Sequence, residues 1–207
     1  MTVARIADHD GPEPDRVDAE RLLRTNGGRL YAAALRLLGR ADAAKAAVAE
    51  ACRAVFADGE GASAELLHRQ VLRAAVRRLP ARRPTSPLAV DELLPAFADD
   101  GHHRSAVPAW DGTCDRLLHS RDGAALLLGR IDLLPDDHRT LLLLADVEGL
   151  GVAPAAALLG IRTDRAKARL RRARQAVREL LARVLTSRSE AAATWPGPAG
   201  SSAGAPA

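Results

Sequence analysis

The chain has 207 residues, 47% hydrophobic and 27% charged, a globular balance that excludes a disordered or fibrous protein. Thirty Lys and Arg against 26 Asp and Glu leave a formal charge of +4, and the isoelectric point near 9.8 points to anionic partners. Aromatic residues are only 2% of the chain, so the core has to be built from Leu, Val and Ala, which suits helices and excludes an all-β fold.

Residues 1–14 read as a disordered N-terminus. A first helix is expected from Asp15 to Arg24, broken at Asn26-Gly27-Gly28 and resumed through Leu30, Tyr31, Ala34, Leu35 and Leu38 to a C-cap at Gly39. Asp42 reads as the N-cap of a second helix, in which Val48, Ala51, Cys52, Val55 and Phe56 keep the spacing of one buried face. That places Cys52 in the core and not in a nucleophile's role. A third helix begins near Ser63, turns Leu67, Val71, Ala74 and Ala75 inward, and ends at Pro80. Its Arg69, Arg73 and Arg77 recur at i, i+4 and i+8, a line suited equally to nucleic-acid phosphates and to plain solvation.

From 84 to 114 the periodicity fails: four prolines, one basic residue and five acids give a flexible linker of net charge −4. Its apolar patch, Leu88 to Phe97, is suited to a short helix or to docking. His102 and His103 lie in this stretch with Asp100 and Cys114, without the rigid spacing of metal ligands, so a solvated pair is expected and no metal. Cys52 and Cys114 lie 62 positions apart with no C-x-x-C, which fits a reducing, cytoplasmic setting. The chain shows neither a signal-length apolar run at its start nor the roughly 18 apolar residues of a span, so membrane insertion is not expected. It has no G-x-S-x-G, H-E-x-x-H or P-loop, and Gly149-Leu-Gly151 follows helical sequence instead of a strand. Neither an enzyme nor a cofactor is expected.

Helical spacing returns with Leu117, Leu118, Leu126, Leu127, Ile131 and Leu134, and Pro135 opens the next helix, which carries Leu141 to Leu144. Two more helices follow, Ala153 to Leu159 and a long one from Thr163 to about Leu185. Residues 187–207, in which Ala, Gly, Pro and Ser fill 17 of 21 positions, read as a disordered tail. The expected architecture is all-α: two small basic helical domains, 15–83 (+6) and 115–186 (+4), joined by the acidic linker 84–114.

The stretch Gly149 to Arg174 carries the chemistry. A short helix ends at Gly160, which can take the left-handed conformation of a tight turn, and Thr163 or Asp164 caps the next helix. This is the order of a helix-turn-helix. In the last helix Ala166, Leu170, Ala173, Val177, Leu181 and Val184 form one apolar stripe, and residues 162–183 hold nine basic and two acidic groups, net +7. A helix about 10–12 Å across fits the major groove, where Arg reads guanine and other cations neutralise phosphate.

Leu134-Pro-Asp-Asp-His-Arg-Thr-Leu-Leu-Leu-Leu-Ala-Asp-Val-Glu-Gly149 and the stretch from Gly149 to Arg174 resemble region 4 of the sigma-70 family of bacterial RNA polymerase sigma factors. The resemblance is to the extracytoplasmic-function group. Arg29-Leu-Tyr-Ala-Ala-Ala-Leu-Arg-Leu-Leu-Gly39 and Val48-Ala-Glu-Ala-Cys-Arg-Ala-Val-Phe56 are similar, more weakly, to its region 2. The resemblance implies a sigma factor in which 15–83 would bind core RNA polymerase and the −10 element, and 115–186 would read the −35 element of promoter DNA. Lys167 and Arg171 match the family's groove-contacting positions, supported by Arg162, Thr163, Arg165, Arg169 and Arg172. Arg69, Arg73 and Arg77 would face the −10 region, and Asp42 and Glu50 the polymerase. An anti-sigma factor is a further partner the resemblance allows. The chain departs from the family at Asp42-Ala-Ala-Lys-Ala-Ala-Val-Ala-Glu50, which has lost two acids, and at Ala64-Glu-Leu-Leu-His68, which lacks the family's aromatic residues. The alternative is a stand-alone helix-turn-helix regulator whose first domain binds a partner protein, and binding of core polymerase separates the two.

Overall fold

The structure is a computed structural model that describes residues 14–57, 62–80, 89–96, 98–100, 102 and 120–193. Among these residues the chain is all-helical, as its composition implies: α1 (Pro14–Leu38), α2 (Ala41–Ala57), α3 (Ala64–Arg77), α4 (Arg121–Ile131), α5 (Asp136–Leu142), α6 (Val152–Leu158) and α7 (Thr163–Ala193). A 3-10 turn, Val90–Leu93, precedes α4, and α5 runs on into a π turn at Leu143–Val147. The described residues form two compact units, one from Met1–Arg82 with Leu143–Thr163 and one from Arg83–Leu142 with Asp164–Ala207. No helix among them is long and apolar enough to cross a membrane.

In the first unit α1, α2 and α3 pack on one another. Ala33, Ala34, Ala44, Ala47, Ala74 and Ala75 are fully buried, and such small side chains let helix axes approach closely while Leu30, Leu37, Leu67, Val71 and Leu72 fill the space between. The Ser63 hydroxyl accepts a hydrogen bond from the backbone N–H of Leu66 at 3.1 Å and caps α3 where the sequence places its start.

Three elements differ from the sequence expectation. First, α1 is unbroken through Asn26-Gly27-Gly28. Interior glycines cost about 1 kcal/mol each, but the Asn26 amide donates to the Leu22 carbonyl at 3.0 Å, and the turns that follow bury Leu30, Ala33, Ala34 and Leu37. Second, the buried face of α2 is centred on Ala44, Ala47, Ala51 and Val55, with Val48, Cys52 and Phe56 half-buried at its margin. Asp42 lies inside the first helical turn instead of capping it, where its charge complements the helix dipole. Burial pushes the Cys52 thiol above its ordinary pKa, which disfavours the thiolate form. Third, α7 extends to Ala193, into the stretch read as tail, because Ala191-Ala192-Ala193 are the strongest helix formers and the prolines begin only at Pro196.

The second unit buries Ile131, Leu134, Leu141 and Leu142 together with the predicted stripe of α7, Ala166, Leu170, Ala173, Val177 and Leu181. Arg139 is 4% exposed, and its Nε donates to Asp132 Oδ1 at 2.7 Å, fastening α5 to the end of α4. From the acidic linker, Val90 and Leu93 are buried on the 3-10 turn. His102 is exposed beside Asp100 at 3.4 Å, while His103 and Cys114 lie outside the described residues.

Candidate nucleic-acid interface

The turn before α7 is closed by backbone geometry that only glycine adopts at low cost. Gly160 has φ +65°, its N–H donates to the Ala157 carbonyl at 3.2 Å, and the Ile161 N–H donates to the Ala156 carbonyl at 3.0 Å. These two bonds are the Schellman pair, and they satisfy carbonyls that the end of α6 would otherwise leave without partners. A Cβ added at Gly160 would meet nothing within 4 Å, so the penalty of a substitution is dihedral, not steric. Gly160→Ala is therefore expected to destabilise by about 1–2 kcal/mol and Gly160→Asn by less, read as a lowered urea midpoint at constant m-value. Equal losses for Ala and Asn would contradict a left-handed turn.

From Thr163 the helix sorts its charges by rotation. At 100° per residue, Arg165, Arg169 and Arg172 lie on one side of the buried stripe, and Lys167, Arg171, Arg174 and Arg178 on the other. Two of the first group meet acids. Arg169 is 18% exposed, and its Nη2 lies 3.0 Å from Asp137 Oδ2, while Arg172 Nη1 stands 3.5 Å from Asp91 of the linker turn. Asp137 also accepts hydrogen bonds at Oδ1 from the His138 backbone N–H at 2.9 Å and contacts His138 Nδ1 at 2.7 Å. Hydrogen bonding from His138, with Arg169 close by, holds the Asp137 carboxyl below its ordinary pKa. A groove of about 550 Å³ is lined by Asp137 and His138 together with Arg165, Arg169, Arg171 and Arg172 of α7.

Lys167 and Arg171 are exposed, as are Arg162, Thr163, Arg165 and Arg172. Among the residues named here from the sequence, Arg169 is half-buried and paired with Asp137 of its own unit, and the exposed Arg172 is paired with Asp91. Asp137 escaped notice because it precedes Arg169 by 32 positions, and only a pattern linking the two helices would have paired them.

In the first unit Arg69 is exposed and paired with Glu65 at 2.6 Å, Arg73 is exposed, and Arg77 is bonded to Glu50. Arg77 and Arg78 both grip Glu50, and their hydrogen bonds hold its carboxyl below the usual range. Arg40 does the same for Asp42. The two acids singled out for the polymerase are thus already engaged by arginines of their own unit.

Residues 124–177 match the family model described as sigma-70, region 4, and this span contains α5, the Schellman turn and the arginine-rich start of α7. The chain is also 31% identical over 86 residues to the ECF RNA polymerase sigma factor SigE of Mycolicibacterium smegmatis. That match takes in 42% of this chain and 34% of the relative, so the chain spans about a third of the length of the curated protein it matches. Region 4 is of the helix-turn-helix type, in agreement with the order α6, Gly160 turn, α7. Residues 124–177 are thus similar to region 4 of the sigma-70 family, and the 86 matched residues are similar to a sigma factor of the extracytoplasmic-function group.

Proposed function

We propose that this protein is a sigma factor that binds core RNA polymerase and directs it to promoters by reading −10 and −35 elements. The observation that carries the reading is the coincidence of the region 4 match with a Schellman turn and an exposed Lys167–Arg171 pair on the helix after it. In this reading Lys167 and Arg171 meet base edges in the major groove, while Arg162, Thr163, Arg165 and Arg172 take phosphates. Arg169 acts through Asp137, as a strut between α5 and α7. The first domain, 15–83, carries the polymerase contact and the −10 contact, with Arg69, Arg73 and Arg77 along the DNA. Asp42 and Glu50 reach the polymerase only by exchanging their internal arginines for external ones. The role is one of binding, with no covalent step by this chain, and its partners place it in the cytoplasm. An anti-sigma factor that covers either surface is consistent with it.

The test is transcription in vitro with core polymerase, this protein and a library of genomic promoters. Discrete start sites that depend on both components are expected. A stand-alone regulator would instead bind duplex DNA without polymerase, as a dimer on half-sites one helical turn apart, and would leave the transcript pattern of core polymerase unchanged.

A further inference from the structure

The groove on the second unit holds more chemistry than the backbone of duplex DNA requires. Its volume of about 550 Å³ falls within the range of pockets that take small molecules, roughly 300–1,000 Å³. Four arginines of α7 line it, and α5 contributes Asp137 and His138. Arg169 is held by Asp137, and Arg172 stands 3.5 Å from Asp91. Arg165 and Arg171 make no ion pair among the described residues, so their guanidinium forks are open to an anion.

Those cations would suit a DNA strand and a small polyphosphate equally, and Asp137 separates the two ligands. Its side chain is 48% exposed and forms part of the groove wall. A phosphodiester strand brings phosphate oxygens that only accept, so a carboxylate facing it adds repulsion and no hydrogen bond. A nucleotide also brings donors, its sugar hydroxyls and base N–H groups, and a carboxylate accepts from these as it does wherever an acid holds a ribose hydroxyl. The His138 ring and the guanidinium planes supply flat faces on which a base stacks. Ala168 completes the lining, and its single methyl group leaves space that a longer side chain would fill.

We propose that this groove binds a nucleoside polyphosphate in competition with DNA, its phosphates on Arg165, Arg171 and Arg172 and its sugar or base on Asp137 and His138. The competition rests on the sigma-factor reading above, which gives the same arginines to the promoter; the binding itself does not. Nucleotide at ten times its dissociation constant then weakens promoter binding about elevenfold.

Isothermal titration calorimetry of the full-length protein with ATP, inorganic triphosphate and adenosine tests the site. One ATP is expected to bind per chain, at least tenfold more tightly than triphosphate or adenosine. Ala168→Leu changes no charge and fills the groove from an exposed position, so it should weaken ATP at least tenfold and leave the unfolding midpoint unchanged. Asp137→Ala should reverse the preference: ATP loses an acceptor and weakens, while triphosphate tightens because a negative charge is gone and Arg169 is released. Circular dichroism confirms that each variant keeps its helices. Triphosphate or adenosine binding as tightly as ATP, or ATP indifferent to Ala168→Leu, would overturn the nucleotide site and leave only a cationic surface. Equal weakening of ATP and triphosphate in folded Asp137→Ala would overturn the role given to that carboxylate. ATP titrated into protein saturated with a −35 duplex, taken from a promoter that answers the transcription test, should bind at least tenfold more weakly, and unchanged affinity would overturn the competition. Failure of the transcription test would overturn the sigma-factor reading instead, and the calorimetry would still decide whether the site exists.

Discussion

Leu170→Ala is expected to lower the stability of the second unit by about 2–5 kcal/mol, well above any surface change on the same helix. Leu170 is 1% exposed and lies at the centre of the stripe formed by Ala166, Ala173 and Val177. Three of those four positions are already alanine or valine, so the leucine supplies most of the volume at this level of the core. Truncation removes its transfer free energy and leaves a cavity that small neighbours cannot collapse to fill. Leu170→Met keeps the volume and should cost less than about 1.5 kcal/mol. Urea unfolding of the full chain, followed by circular dichroism, measures both. A loss below about 1 kcal/mol for the alanine variant would mean that α7 is held by its termini and not by this stripe. The flanking Arg169 and Arg171 emerge on opposite sides of Leu170, so the core that this residue anchors also sets the rotation at which α7 shows its cations.

Most of the helices were legible in the sequence, and so was the turn at Gly160. Periodicity alone places Leu67, Val71, Ala74 and Ala75 inward, and they are buried; one glycine between an alanine-rich helix and a cationic one is a strong stop signal. Asn26-Gly27-Gly28 misled, because local propensity is a sum of terms near 1 kcal/mol that tertiary burial overrides. The rotation of α2 was hidden for a related reason: Val and Phe outrank Ala on any hydrophobicity scale, yet the buried face is that of Ala44, Ala47 and Ala51. The cationic helix of the candidate site could be read, but its sorting into two sides could not, since Asp137 and Asp91 reach it from other parts of the chain. Glu148 was visible only as part of a family-like motif. Its partners, Arg36 and His68, lie 112 and 80 positions away, and no spacing rule connects them.

Arg171→Ala is expected to reduce affinity for promoter DNA by about 1–3 kcal/mol, roughly five- to 150-fold, and to relax the choice of base at one position of the −35 element. The loss should leave unfolding unchanged, because the side chain is exposed. Arg178 lies on the same side of α7 two turns further along, beyond the end of the helix that enters a groove, so Arg178→Ala should weaken binding evenly across sequences and reduce the salt slope by about 1. The contrast between the two is the informative result. A bidentate base contact discriminates between sequences, whereas a phosphate contact adds the same term to all of them. Holoenzyme binding to a panel of −35 variants at several salt concentrations separates these terms. If both substitutions weakened every sequence to the same degree, α7 would be lying across the phosphates instead of in the groove, and selectivity would have to come from another part of the chain.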